Sequence, residues 1–197
     1  MKDVFGLIYT SDESDMRLRD LTRSRSIAAM PIGGRYRVID VLLSNLVHSG
    51  VSNVGLITQR NYHSLMDHLE SGKAWDLNRK RDGLFILPPY VTRSSTGSYS
   101  GLLDAIRSNL NYVRRASQRY ALISGSSTVF NMKFDDMMAQ HLATGADITI
   151  LYNVPADDES NGDADRTHLK MDESGRVVDI EVTPHLNTYP NVSMDVY

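Results

Sequence analysis

Val38-Ile39-Asp40-Val41-Leu42-Leu43-Ser44-Asn45-Leu46-Val47-His48-Ser49-Gly50 runs directly into Val51-Ser52-Asn53-Val54-Gly55-Leu56-Ile57-Thr58, and the apolar period changes on the way. Val38, Leu42, Leu43, Leu46 and Val47 recur at helical spacing, which predicts a helix over 38–48 with Gly50 as its C-cap. Val54 to Thr58 is a short continuous apolar run, the mark of a strand buried on both faces. The same alternation extends outward. Val4 to Tyr9 predicts an earlier buried strand, followed by a polar loop from Thr10 to about Thr22. Downstream, a helix is expected from Tyr62 to Leu69, ending near Gly72. A strand follows from Leu84 to Leu87, stopped by Pro88-Pro89, then a helix from Leu102 to about Ala116. A strand from Ala121 to Ser124, a helix from Phe134 to Leu142 closed by Gly145, and a fifth strand from Asp147 to Val154 complete the series. Five rounds of strand and helix imply right-handed crossovers and an α/β fold, with a mostly parallel sheet covered on both faces. Ligands in such sheets sit beyond the carboxyl ends of the strands. Chemistry is therefore expected in the loops after Tyr9, Thr58, Leu87 and Ser124.

Composition narrows the classes. The chain has 197 residues and no cysteine, enough for a domain with a real core but without disulfides or thiolate chemistry. That fits a reducing cytosol, and a cytoplasmic location is expected. No run of about 18 apolar residues suggests a membrane span, and Met1 to Gly6 lacks the apolar stretch of a signal peptide. A formal net charge of -3 argues against bulk affinity for nucleic acid. After Val154 the pattern changes. Residues 155–163 are polar and acidic and read as a loop. His168 to Met171 and Val177 to Ile180 flank Asp172-Glu173-Ser174-Gly175, a small β-hairpin near the C-terminus. Ser193 to Tyr197 reads as the start of a strand, so a longer protein is expected.

The eleven-residue run Met30-Pro31-Ile32-Gly33-Gly34-Arg35-Tyr36-Arg37-Val38-Ile39-Asp40, continued by Ser44-Asn45 and Ser49-Gly50-Val51, resembles the ADP-glucose pyrophosphorylase (glucose-1-phosphate adenylyltransferase) family. Thr58-Gln59, Ser64-Leu65, His68-Leu69, Tyr99-Ser100-Gly101-Leu102-Leu103-Asp104-Ala105, Gly145-Ala146-Asp147-Ile148-Thr149 and Ser193-Met194-Asp195-Val196-Tyr197 are similar to further family segments, in the right order. The resemblance implies that residues 1–197 are a Rossmann-like, GT-A-like nucleotidyltransferase domain, incomplete here, with a left-handed β-helix domain beyond Tyr197. It implies a reaction of ATP with glucose 1-phosphate to give ADP-glucose and pyrophosphate, assisted by Mg²⁺, in glycogen biosynthesis. Such a reaction brings two polyanions together, which needs close backbone amides, a cation and a carboxylate-held metal.

The departures from the family pattern fall on those needs. Where the family has a glycine-rich loop, this chain has Tyr9-Thr10-Ser11-Asp12-Glu13-Ser14-Asp15-Met16, with three carboxylates and no glycine. Ile27 stands at the expected lysine, Ser126 at the expected magnesium aspartate, and Val182-Thr183 at an expected Glu-Lys pair that contacts sugar phosphate. Asp195 replaces a glycine. The pattern is most similar to the GlgD-type subunit, a catalytically poor partner of an active subunit. The resulting expectation is a regulatory chain with no catalytic residues and no metal of its own, Mg²⁺ serving the active partner. That partner is a catalytic ADP-glucose pyrophosphorylase subunit in a hetero-oligomer, expected to be a tetramer. Weak binding of a sugar phosphate or nucleotide falls to Gly33, Gly34, Gln59, Tyr99, Gly101, Asp104, Gly125 and Ser193. Two alternatives stand beside this one. One is an active enzyme with a rearranged site, its metal held by Asp12, Asp15 or Asp104. The other is a free-standing sugar-nucleotide sensor.

Plainer readings accompany several motifs. Gly33-Gly34 also reads as a tight turn. The arginines from Arg17 to Arg37 read first as a solvated loop facing Asp12, Glu13, Asp15 and Asp20, and second as an anion site. Arg79-Lys80-Arg81 reads as a solvated turn, without the aromatic interleaving of an RNA surface. His63 and His68 are off the i, i+4 face that a metal pair needs, and Asp135-Asp136 suits a helix N-terminus.

Overall fold

Val4–Tyr9 forms β1, buried at every residue but its last. Its neighbours are β4 (Asn53–Ile57) and β8 (Tyr120–Gly125), both parallel to it, and β5 (Gly83–Leu87) lies parallel beyond β4. The sheet of this unit thus runs β8-β1-β4-β5. Between β1 and β4 come two short strands, β2 (Pro31–Ile32) and β3 (Tyr36–Arg37), paired antiparallel. After β5, β6 (Val91–Thr92) and β7 (Ser95–Thr96) form another small antiparallel pair. The computed structural model describes residues 1–11, 18–89, 91–92, 95–96, 98–155, 166–182 and 189–197. They fall into two units, Met1–Thr144 and Gly145–Tyr197. None of their helices is long and apolar enough to cross a membrane.

Helices cover both faces of the parallel sheet, and glycine lets them close in. A Cβ on Gly6 would lie 3.3 Å from Leu46 of helix α1 (Val38–His48). A Cβ on Gly55 would lie 2.5 Å from the ring of Tyr112 on the opposite face. The parallel register pairs Gly6 with Val54 and Leu7 with Gly55, so the two glycines open opposite faces. Phe5, Leu7, Ile57, Tyr99 and Ala105 form the cluster on the Tyr112 side. Tyr112 meets Phe5 edge-on and donates its hydroxyl to Asn53 Oδ1 at 2.9 Å. Burial, reinforced by the Asp82 carboxylate, pushes that phenol's pKa upward.

Helix α1 ends as its sequence predicts. Gly50 takes φ +77°, its N–H donates to Val47 O, and the Val51 N–H donates to Leu46 O, the bond pair of a Schellman motif. At the other end, the Arg37 N–H donates to Asp40 Oδ2 at 2.9 Å. Asp40 Oδ1 also lies 2.6 Å from Nε2 of His68 on α2 (His63–Leu69), and Arg37 Nη1 donates to the Ser64 carbonyl and hydroxyl. His68 is therefore a structural link between two helices, and His63 stacks on Tyr62. Phe134, fully buried and directly ahead of Asp135, donates its N–H to Ser49 Oγ.

The helix expected over 102–116 is two helices, α3 (Leu102–Ser108) and α4 (Leu110–Arg115). The buried amide of Asn109 causes the break. It donates back to the Ala105 carbonyl at 2.9 Å and to the Tyr99 hydroxyl at 3.3 Å, and the backbone turns at φ −106°, ψ 21°. Helix α5 (Asp135–Thr144) opens on Asp135-Asp136, carboxylates at the dipole's positive end.

In the second unit, β10 (Thr167–Met171) and β11 (Val177–Val182) form the expected hairpin. Asp172 Oδ1 accepts from the Ser174 N–H, the Ser174 hydroxyl and the Arg176 N–H, and Gly175 has φ +81°. The fifth strand differs from expectation. Only Leu151–Asn153 (β9) is extended, and it pairs antiparallel with β12 (Asn191–Val196), which also pairs antiparallel with β10. Ile148 and Val154, flanking β9, are more than half exposed, so that apolar run is not the buried parallel strand its composition suggested.

Gly55→Ala is expected to cost roughly 1–3 kcal/mol through overpacking against Tyr112, read as a lower denaturation midpoint. An unchanged midpoint would contradict the wedge. The Ser174 and Arg176 donors hold the Asp172 carboxyl below its ordinary pKa. Its support of the turn is thus present above the ordinary carboxylate value and lost as pH falls through the lower folded value. Amide exchange at Ser174, normalised to its intrinsic rate, should accelerate in that acid range.

Candidate functional site

The carboxyl ends of β1 and β4 are stitched together by their own side chains. The Thr10 N–H donates to the Ile57 carbonyl at 3.0 Å, and the Gln59 N–H donates to Thr10 Oγ1 at 3.0 Å. The Gln59 amide, with the residue only 4% exposed, then donates from Nε2 to the Tyr9 hydroxyl at 2.7 Å and to the Tyr99 carbonyl at 3.5 Å. Its Oε1 accepts the Tyr99 N–H at 3.4 Å. The Tyr9 ring packs against the Phe5–Leu7–Ile57–Tyr99–Ala105 cluster. Across the sheet, Tyr9 is in register with Ile57 on one side and Gly125 on the other. Thr58, fully buried, donates its N–H to the Leu87 carbonyl, while its hydroxyl has no hydrogen-bond partner among the described residues. The Ser26 hydroxyl is likewise buried without one.

The site residues read from the sequence distribute as follows. Gln59, Tyr99 and Gly125 meet at the strand ends, with Tyr9 between them. Gly101 and Asp104 begin α3 shortly after Tyr99. The Gly101 carbonyl accepts from Ala105, and Asp104 Oδ2 accepts the Ser100 N–H at 3.1 Å, which ties the first turn of the helix to the residue ahead of Gly101. Gly33 and Gly34 form the exposed turn between β2 and β3 with φ +56° and +81°, which a side chain would strain. Ser193 belongs to the second unit, on β12, where its hydroxyl accepts the Asp195 N–H at 3.2 Å. Asp195 has φ +54°, the left-handed conformation that glycine favours.

The positions where a cation or metal carboxylate was expected carry neutral side chains. Ile27 opens a short 3₁₀ turn, Ile27–Ala29, whose two alanines are fully buried. Ser126 is buried just past β8, and Val182 ends β11 at 65% exposure. Asp12, Glu13, Asp15, Arg17 and Thr183 lie outside the described residues. Sequence reasoning missed Tyr9, Thr10 and Asn109 as parts of the crevice. The signal available was a large aromatic residue ending the first strand and an asparagine interrupting an apolar helix.

The nucleotidyl transferase family model matches residues 14–197. The chain belongs to the nucleotidyl transferase family. Across its whole length it is 40% identical to glucose-1-phosphate adenylyltransferase of Thermomicrobium roseum, covering 45% of that protein. It is 45% identical over 132 residues to glycogen biosynthesis protein GlgD of Geobacillus stearothermophilus, 67% of this chain and 38% of the relative. Against glycogen biosynthesis protein GlgD of Bacillus subtilis the identity is 43% over 138 residues, 68% and 39% of the two chains. This nucleotidyl transferase chain thus spans less than half the length of these relatives.

The magnesium ion implied by the resemblance does not fit the described strand ends. Ser126 offers a neutral hydroxyl, Asp104 Oδ2 holds the Ser100 N–H, and among the described residues no three His, Cys, Asp or Glu gather into a metal-holding group. Among the described residues, the strand ends offer a buried carboxamide, a phenol and backbone groups, and the carboxamide and phenol suit hydrogen bonds to a neutral ring edge.

Asp104→Ala should lower stability by about 0.5–1.5 kcal/mol, the net contribution of one intramolecular hydrogen bond, read by chemical denaturation. Asp104→Asn, which keeps an acceptor oxygen, should recover most of it. Equal losses in both would contradict the role of the Ser100 bond.

Proposed function

We propose that this chain is the nucleotidyltransferase domain of a regulatory, catalytically deficient subunit of ADP-glucose pyrophosphorylase. The full-length protein acts in glycogen biosynthesis in the cytoplasm and assembles with an active subunit as a hetero-oligomer. It contributes by biasing that partner toward a competent state, and Mg²⁺ serves the partner's site. The observation that carries this reading is the neutral side chain at each described position where phosphate charge would be met: Ile27 in its 3₁₀ turn and the buried Ser126 beyond β8. Removing one well-placed electrostatic group costs ~10²–10³ in rate. Two or more such losses leave little turnover even when they are not additive. The likeness to two GlgD proteins of glycogen biosynthesis supports the same assignment. The retained scaffold at Gln59, Tyr99 and Gly125 supports weak binding of a nucleotide or sugar nucleotide.

Steady-state assays of the full-length chain, alone and mixed with an active subunit, test the proposal. Alone, its turnover of ATP and glucose 1-phosphate should fall at least about 10²-fold below that of the active subunit. Mixed, it should raise the active subunit's rate or tighten its response to activators. Comparable turnover by the lone chain would overturn the reading and favour the active-enzyme alternative.

A further inference from the structure

We infer that Tyr9 is a built-in occupant of the nucleobase position, so that the crevice of this chain is closed from within. The inference rests on the reading of this crevice as a nucleotide-binding relic and adds how that crevice is regulated. Tyr9 places a flat aromatic ring on the apolar cluster of Phe5, Leu7, Ile57, Tyr99 and Ala105, at the carboxyl end of β1. The far edge of that ring carries one hydroxyl, and Gln59 Nε2 binds it at 2.7 Å. A ring with a hydrogen-bonding edge, laid on apolar surface and read by a carboxamide, is what a nucleobase would present. The phenol therefore imitates a ligand held beyond the carboxyl ends of a parallel sheet, where such sheets receive their ligands.

The distances say which bond matters. Gln59's contacts with the Tyr99 backbone are long, at 3.4 and 3.5 Å, whereas the bond to Tyr9 falls at the ordinary optimum. Both Nε2 donors are thereby in use. A base entering the corner cannot simply add to the amide. It has to displace the phenol, and the ring of Tyr9 has to leave the cluster. Affinity is reduced by the fraction of molecules in which Tyr9 has swung out. Tyr9 is the last residue of β1 and its least buried one, so the side chain can leave without breaking the strand's register.

Isothermal titration calorimetry on the full-length chain tests this with ADP-glucose, which carries the base, and glucose 1-phosphate, which lacks it. Tyr9→Ala should bind ADP-glucose at least about tenfold more tightly than the unmodified chain, with glucose 1-phosphate affinity unchanged. Tyr9→Phe keeps the ring and its packing while freeing the Gln59 donor, so it should show a smaller gain in the same direction. It carries the test if the alanine variant does not fold. Equal ADP-glucose affinity in the unmodified chain and in the folded Tyr9 variants overturns the inference, as does a parallel gain for glucose 1-phosphate. The regulatory reading is scored separately, by stimulation of the active subunit. A chain that stimulates its partner while Tyr9 variants gain no affinity removes the inference alone.

Discussion

Burial of both faces of β1 and β4, the central strands of the parallel sheet, is the constraint on which the first unit depends. A strand covered by helices on both sides must be apolar throughout and thin where a helix comes closest. β1 and β4 solve this with glycine on opposite faces: Gly6 receives Leu46, and Gly55 receives the ring of Tyr112. The close approach anchors α1 on one side and α4 on the other. It also fixes the height at which Tyr9, Thr10, Thr58 and Gln59 emerge, since these residues follow directly from the registered ends of β1 and β4.

What emerges there, at Tyr9, Thr10, Thr58 and Gln59, is a set of uncharged polar side chains whose buried hydrogen-bonding capacity is spent largely within the protein. A buried amide that meets its own partners rigidifies its surroundings. Two carboxylates of this unit serve structure: Asp104 accepts the Ser100 N–H ahead of α3, and Asp40 is shared between the Arg37 amide and His68.

Much of the architecture was legible in the sequence because it rests on local rules. Apolar runs marked β1, β4, β5 and β8 to within a residue, and Gly50 marked the end of α1. The β10–β11 hairpin was legible from its turn residues. The break at Asn109 was not legible, because the competing bonds run to Ala105 and to Tyr99 ten residues away, and only the folded crevice brings the latter within reach. Nor was the antiparallel pairing of β9, since an apolar run reports burial and not the direction of its neighbour. At the candidate site, Gln59, Tyr99 and Gly125 could be named from motif matches. The phenol that joins them could not, as Tyr9 and Gln59 are separated by 50 positions.

Asn109 has a mechanical consequence. Its amide holds the hydroxyl of Tyr99, whose backbone in turn grips the carboxamide of Gln59. The interruption between α3 and α4 is thus bolted to the ends of the central strands by a relay of three side chains. Tyr112, three residues along α4, is wedged over the sheet at Gly55. The same helix pair thus meets the sheet at two levels, at Gly55 through Tyr112 and at the strand ends through Asn109.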